Sequence, residues 1–295
     1  MLVKNDFEIK NLTTFKIGGK IKNLFFPKTV DEFVEVLKEN PFVAGNLSNT
    51  LVSSFEYFGD VVSTLEMNEI KIDGNIVIVG AGVRGPKLAQ EVCKQGLSGL
   101  EFMIGFPGSV GGEVFMNAGA HGQCICDVFK KAKVYSSKDG ILTLSKEDME
   151  FGYRTSICQK ENYIVLEVEF ELNPKPQDEI QSKMDENLAF RKAHQPSLAL
   201  PNCGSIFKNP EGNSAGKLLD ECEVKGLEIG GVKVWENHAN FIVNHNNGTS
   251  LDVLNLMCEM KNRVRKKFNI ELEPEIRYLG NNEEEAKLCK ILYQK

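Results

Sequence analysis

Between residues 166 and 172 the chain alternates strictly: Leu166, Val168, Phe170 and Leu172 are apolar, and Glu167, Glu169 and Glu171 are charged. Successive strand side chains point to opposite faces, so this pattern predicts a strand with one buried and one solvated face. Shorter β-branched runs at Phe42-Val43, Val61-Val62 and Ile76-Val77-Ile78-Val79, set apart by Gly, Asn, Asp and Ser, predict short strands and turns over 42–79. Helical spacing occurs elsewhere. Thr29 and Glu32 form a capping-box pair ahead of Phe33, Val34 and Leu37, which predicts a helix over 31–39, preceded by an extended or turning segment around Gly18-Gly19. Pro86 opens a second helix over 86–95, and Gly96 can cap its end.

After the linker-like Asn173-Pro174-Lys175-Pro176, a helix is predicted through Ile180, Met184, Asn187, Leu188 and Arg191, and a domain boundary is placed near 175. Beyond it, 216–220 is read as helix, Phe241-Ile242-Val243 as strand and Asn247-Gly248 as a turn. A long helix with Ser250 as its N-cap carries Leu254, Met257, Val264 and Phe268 on one side. Strands and helices do not alternate regularly, so the fold class is α+β rather than a doubly wound sheet.

At 295 residues, 42% hydrophobic and 26% charged, the composition is that of a globular protein of roughly two domains. The net charge of −6, from 35 basic and 41 acidic residues, gives no basic face for nucleic acid. No apolar run approaches the ~20 residues of a membrane span. The eight cysteines are scattered from Cys93 to Cys289 and the chain opens without an apolar signal core, so a reducing, cytoplasmic setting is expected. Cys124-Ile125-Cys126 is the one close pair; it lacks the spacing of a zinc site, and no metal is expected.

Two glycine-rich stretches carry candidate chemistry. Gly80-Ala81-Gly82-Val83-Arg84-Gly85 satisfies GxGxxG after an apolar strand, with Glu101 about twenty residues on, so a dinucleotide-binding Rossmann turn and a plain strand–turn–helix connection both remain open. The broken region around Glu101 weakens the former. From 105 to 122, six of eighteen residues are glycine. Glycine is entropically costly, and bare backbone N–H groups can cradle a diphosphate; a set of tight turns is the other reading. No GxxxxGK[ST] is present, which excludes a P-loop NTPase.

Taken in order, these motifs resemble the bacterial UDP-N-acetylenolpyruvoylglucosamine reductase family. The resemblance runs from Asn11-Leu12-Thr13-Thr14-Phe15-Lys16-Ile17-Gly18-Gly19 to Leu272-Glu273-Pro274-Glu275-Ile276-Arg277. Between these lie Leu97-Ser98-Gly99-Leu100-Glu101, the 105–112 loop, Asn117-Ala118-Gly119-Ala120, Phe151-Gly152-Tyr153-Arg154-Thr155-Ser156, Gly204-Ser205-Ile206-Phe207-Lys208-Asn209-Pro210, Ala215-Gly216-Lys217 and His238-Ala239-Asn240-Phe241-Ile242-Val243-Asn244. The resemblance implies a two-part FAD-binding region of the vanillyl-alcohol-oxidase/PCMH type at 1–70 and 71–175. A C-terminal α+β substrate-binding domain follows at 176–295.

It further implies NADPH-dependent reduction of UDP-N-acetylglucosamine enolpyruvate to UDP-N-acetylmuramate through tightly but non-covalently bound FAD, in peptidoglycan precursor synthesis. Partners would be the UDP-sugar and NADPH, and a monomer is expected. The implied FAD contacts are Gly45, Ser48, Asn49, Gly80, Ala81, Gly82, Gly105, Pro107, Gly108, Ser109, Gly111, Gly112, Asn117, Ala118 and Gly119. Arg154 corresponds to the arginine facing the substrate carboxylate, Glu275 to a second polarising group and Ser205 to the general acid, with Lys208 a candidate to assist it. Tyr153, Arg191, Asn209 and Lys217 correspond to substrate contacts.

Three departures stand out. Gly45-Asn46-Leu47-Ser48-Asn49 keeps only part of a Gly-Gly-Gly-Ser-Asn run, and Leu47 would bear the cost of a positive φ. Glu113 replaces a small residue beside the expected diphosphate, and His121 replaces a tyrosine. Only nine residues separate Arg154 from Ile164, as in the subclass without a tyrosine-bearing lid. The competing reading is a flavin- or nucleotide-binding relative of the same fold that has lost catalysis.

Overall fold

The computed structural model describes every residue except Glu56, Leu198 and Lys295. Its contacts group into two compact units: Met1–Lys4, Asn23–Asn46 and Asp60–Arg191 form unit 1, and Asn5–Lys22, Leu47–Gly59 and Lys192–Lys295 form unit 2. Helices and sheets in each make the fold α+β.

Unit 1 is built on a five-stranded sheet in the order Gly140–Ser145, Phe129–Ser136, Ile164–Glu171, Ile76–Gly80, Ile70–Asp73, with every neighbouring pair antiparallel. The alternating strand behaves as its pattern requires. Leu166, Val168 and Phe170 are fully buried, while Glu167 and Glu169 take Lys133, Lys130 and Lys131 as ion-pair partners on the other face. Full burial of such side chains is worth roughly 1.5–3 kcal/mol each, so the pattern fixes the register. Helix Gly85–Lys94 lays Leu88, Ala89 and Val92 into this core and ends where Gly96 adopts φ +65°.

The antiparallel pairing also decides the status of GxGxxG. A Rossmann turn joins parallel strands, whereas Ile76–Gly80 has an antiparallel neighbour on each side. Glu101 lies in a short 3-10 turn, where its carboxylate accepts the Gly99 N–H at 2.9 Å. The Rossmann alternative is therefore rejected.

A smaller packing group in unit 1 comes from helix Val30–Leu37, which buries Phe33, Val36 and Leu37 against Val62 and Leu166. Its cap forms as the spacing predicts, Thr29 accepting from Glu32 N–H, but the Glu32 carboxylate accepts from Lys28 N–H rather than closing the box on Thr29. The parallel pairing of Phe42, Val43 and Ala44 with Val61, Val62 and Ser63 lies beside it. Strand Leu2–Glu8, mostly exposed and lacking an apolar face, has no signal in the hydrophobic pattern.

In unit 2, helix Ser250–Phe268 buries Val253, Leu254, Leu256, Met257, Met260 and Val264. Around it pack helices Ala215–Glu221 and Glu283–Tyr293 and the three-stranded sheet Glu228–Ile229, Val232–Val234, Ile242–Asn244. The N-cap is Thr249, not Ser250: Thr249 and Asp252 form a complete capping box, and the Ser250 hydroxyl is instead directed to Glu285. Among the described residues no helix is long and apolar enough to cross a membrane.

Candidate flavin and substrate sites

Three loops of unit 1 converge on Ser109. Gly111 and Val110 donate backbone N–H bonds to the carbonyls of Ala81 and Val83 at 2.9 and 2.8 Å, and Gly85 donates to Gly108 at 3.2 Å. This binds the 80–85 loop to the 105–112 loop. The third loop arrives through Asn46, whose side-chain amide donates to the Pro107 carbonyl. A Cβ on Gly45 would fall 2.3 Å from Ser109 Oγ, and one on Gly82 would fall 1.9 Å from the Thr64 carbonyl oxygen. At Gly82 the obstacle is backbone, so only glycine fits there, whereas at Gly45 a side chain would have to displace the Ser109 hydroxyl.

Ser109 Oγ and Thr64 Oγ1 are buried without a hydrogen-bond partner among the described residues. Buried hydroxyls rarely remain unpaired, so a cradle with two unused hydroxyls and bare glycine backbone suits an anionic group such as the FAD diphosphate. Glu113 is the exception in this cradle. Its buried carboxyl lies against Gly85 and Gly108, has no hydrogen-bond partner, and is pushed up to about 8 by burial. At neutral pH it is therefore a neutral acid wedged between the two glycine loops, which removes the repulsion that a carboxylate would impose.

The same unit places Arg154. A tight turn closes through reciprocal backbone hydrogen bonds between Gly152 and Thr155, and Arg154 inside it adopts φ +54°. Its Nη2 donates to the Gly119 carbonyl at 3.0 Å, and its guanidinium lies 5.2 Å from the centroid of the Tyr153 ring, which is exposed. Asn117, at φ +44°, donates to the Gly152 carbonyl at 2.9 Å, so Asn117, Gly119, Tyr153 and Arg154 are brought together. Ser156 has no role assigned from the sequence beyond ending the 151–156 motif, and Gln159 lies outside every motif. Both donate to the Phe115 carbonyl, and Gln159 also donates to that of Arg154, fastening the turn in place. Arg191 packs its Cδ over Gly105 and is pushed down by burial. His121, likewise pushed down by burial, sets its ring edge-on to Phe190.

Unit 2 assembles the other candidates. Ser205 forms an isolated antiparallel bridge with Phe241, and the next residue, Ile206, accepts from Glu275 N–H at 2.8 Å. One irregular ladder therefore carries both Ser205 and Glu275. Asn240, buried, and quoted from the sequence only as part of the 238–244 motif, holds it by exchanging side-chain hydrogen bonds with both the N–H and the carbonyl of Phe207. Asn49 donates to the Glu275 carbonyl at 3.0 Å and accepts from Arg277 N–H at 2.9 Å, so it positions the backbone of Glu275. Ser48 is half-buried beside it, after Leu47 at φ +49°, the costly conformation its place in the loop implied.

Lys208, the candidate to assist Ser205, has its ammonium paired with the Glu273 carboxylate at 2.7 Å. Asn209 accepts from Ala215 N–H at 3.0 Å and Lys217 is exposed on the short helix that follows. His238 accepts from Asn240 N–H through Nδ1 at 3.2 Å and packs its ring edge-on to Phe241. A pocket of about 380 Å³ lined by Lys10, Lys16, Lys20, Gly18, Gly19 and Thr249, among others, includes none of the candidate residues.

Residues 21–145 match the model of an FAD binding domain, and residues 195–279 match that of the UDP-N-acetylenolpyruvoylglucosamine reductase C-terminal domain. A UDP-N-acetylenolpyruvoylglucosamine reductase of Staphylococcus carnosus is 39% identical over 96% of this chain and 94% of its own length. One from Alkaliphilus metalliredigens is 42% identical over 92% and 91%. The chain belongs to the UDP-N-acetylenolpyruvoylglucosamine reductase family. The crystal structure of UDP-N-acetylenolpyruvylglucosamine reductase from Thermus caldophilus agrees in fold, with a TM-score of 0.83 and 34% identity over 95% of this chain and all of that one. Membership also explains why a GxGxxG run sits in an antiparallel sheet: the loop belongs to an FAD binding domain of another architecture.

Proposed function

We propose that this protein reduces UDP-N-acetylglucosamine enolpyruvate to UDP-N-acetylmuramate at the expense of NADPH, using non-covalently bound FAD, in peptidoglycan precursor synthesis. The observation that carries the reading is the convergence of three glycine loops on the unused Ser109 hydroxyl, within a chain of this family. Gly45, residues 80–82, the 105–112 loop and residues 117–119, all of unit 1, would hold the cofactor. The proposed division of labour is 1–70 and 71–175 for FAD and 176–295 for substrate, although by their contacts residues 5–22 and 47–59 group with the C-terminal unit and the N-terminal unit runs on to Arg191.

FAD supplies the relay that carries hydride from NADPH to the enolpyruvyl double bond. The chain must then stabilise the negative charge that builds on the substrate carboxylate and protonate the α-carbon. Arg154 offers a planar, permanently charged donor for that carboxylate, held in place by Gly119, Ser156 and Gln159. Glu275 polarises the same group as a protonated or hydrogen-bonding partner. Ser205 delivers the proton to the α-carbon, with Asn240 fixing the strand that carries it. Tyr153, Arg191, Asn209 and Lys217 complete the binding of the UDP-sugar. The protein works as a cytoplasmic monomer.

The test is product formation. FAD-loaded protein given NADPH and the enolpyruvyl substrate should yield a product two hydrogens heavier, one NADPH consumed per product. NADPH consumption that proceeds equally without that substrate would favour an oxidase and overturn the reading.

A further inference from the structure

Cys124 and Cys126 lie outside the roles described above. Their sulfurs are 3.0 Å apart and both residues are partly exposed. Two thiolates on one tetrahedral zinc would be about 3.8 Å apart, given Zn–S bonds of about 2.3 Å. A disulfide needs about 2.05 Å, so the sulfurs must approach by roughly one ångström, and across a single intervening residue that approach involves the backbone as well as the side chains. The third neighbour, Asp127, brings a carboxylate within 4.8 Å, but that carboxylate already accepts the Cys124 N–H at 2.8 Å and so holds the turn.

We propose that Cys124 and Cys126 form a redox-active dithiol that closes to an intrachain disulfide when exposed to a small-molecule disulfide, and that closure loosens the neighbouring flavin loop. The coupling half rests on the FAD reading above; the chemical half does not. Burial and the hydrogen bond to Cys126 push the Cys124 thiol up, and the first attack is assigned to Cys126. The Cys126 thiolate breaks the S–S bond of the oxidant and forms a mixed disulfide, releasing one thiolate. The Cys124 sulfur, losing its proton, then attacks the Cys126 sulfur and expels the second. Two protein thiols are oxidised by two electrons and one small disulfide is reduced to two thiols.

Each cysteine is one contact from a residue assigned to the site. Cys126 N–H donates to Asn117 Oδ1 at 3.1 Å. Cys124 pairs with Gly119 in a two-stranded ladder, and the Gly119 carbonyl is the acceptor for Arg154. Drawing the two sulfurs together moves the backbone that holds Asn117 and Gly119, which lowers FAD affinity.

The test uses the full chain treated with oxidised glutathione, then trypsin without reduction. Residues 95–130 form one tryptic peptide that contains these two cysteines and no other. The expected peptide is two hydrogens lighter, and FAD affinity, followed by flavin fluorescence, falls at least threefold and returns on treatment with dithiothreitol. Cys124→Ser should keep the reduced protein's FAD affinity, lose the reversible response, and retain glutathione on Cys126 as a stable adduct. A peptide left reduced, a stable glutathione adduct in the parent, or a disulfide with unchanged FAD affinity would overturn the proposal. So would oxidation that proceeds only after a chelator, which marks a bound metal ion. If the reduced protein binds no FAD at all, the peptide mass still reads the disulfide, and the FAD reading is what fails.

Discussion

The guanidinium of Arg154 donates a hydrogen bond to the Gly119 carbonyl over 3.0 Å, from a backbone held at φ +54°. An arginine in the left-handed region costs of order 1–3 kcal/mol, and such strain survives only where the surroundings hold it. Here the holding groups are the Gly152–Thr155 turn and the Gln159 amide.

That cost separates backbone from chemistry at position 154. Arg154→Gly relieves the strain while losing the hydrogen bond to Gly119 and the contact with Tyr153, so the two effects oppose each other and thermal stability should change far less than turnover. Turnover should fall at least ~10²-fold, the scale of losing one preorganised charge-stabilising donor. Arg154→Lys should also be strongly impaired, because an ammonium cannot make a planar two-point clamp. Steady-state kinetics beside melting curves distinguish the two effects; unimpaired Arg154→Lys would place the residue outside the chemistry.

Ser205→Ala should leave FAD binding and NADPH-dependent bleaching unchanged, since neither needs a proton from Ser205. Reoxidation by substrate should slow by ~10²–10⁴, the range for a general acid. Ser205→Cys, which keeps a donor, should lose less. Rapid mixing resolves the two half-reactions, and a Ser205→Ala variant slowed only in the NADPH half would refute the assignment.

Much of this was legible in the chain itself, and the omissions have physical reasons. Strand Ile164–Glu171 and helix Val30–Leu37 announce themselves because one face of each is buried. Strand Leu2–Glu8 is mostly exposed, so it carries no period to read. The glycine loops were readable as a cradle, but their contact at Ser109 depends on residues 45, 82 and 109 meeting across the chain. Gln159 and Asn240 act on backbone groups far away in sequence, a role that no local motif encodes. The Thr249 cap was missed by one position because Thr249 and Ser250 both suit an N-cap; the buried Glu285 claims Ser250.

Glu113 gives a signed pH dependence. Its carboxyl is pushed from 4.5 up to about 8 by burial, so between those values the folded protein holds a proton that the unfolded chain has released. Stability from this group is full below about 4.5 and is lost as pH rises to about 8, at roughly 1.4 kcal/mol per pH unit. Glu113→Gln should remove that slope. Urea unfolding at pH 5 and pH 8 measures it: the stability of Glu113→Gln relative to the parent should rise with pH, and a constant difference would show that Glu113 is ionised in the fold.

Glu285 is fully buried and accepts from Ser53 at 2.6 Å, from Tyr278 at 2.5 Å and from Ser250. Removing the carboxylate strands three hydroxyls, each costing about 1–3 kcal/mol unless water enters. Glu285→Ala should therefore destabilise the protein by at least ~3 kcal/mol in chemical denaturation. A loss under about 1 kcal/mol would show that the helix Glu283–Tyr293 is not anchored there.

The most direct test of the central claim is one anaerobic titration of the purified, FAD-loaded protein followed by absorbance. NADPH should bleach the flavin bands, and UDP-N-acetylglucosamine enolpyruvate should restore them in stoichiometric step with the appearance of UDP-N-acetylmuramate. A bleached flavin that oxygen reoxidises but this substrate does not, or a protein that acquires no flavin bands after incubation with FAD, would contradict it.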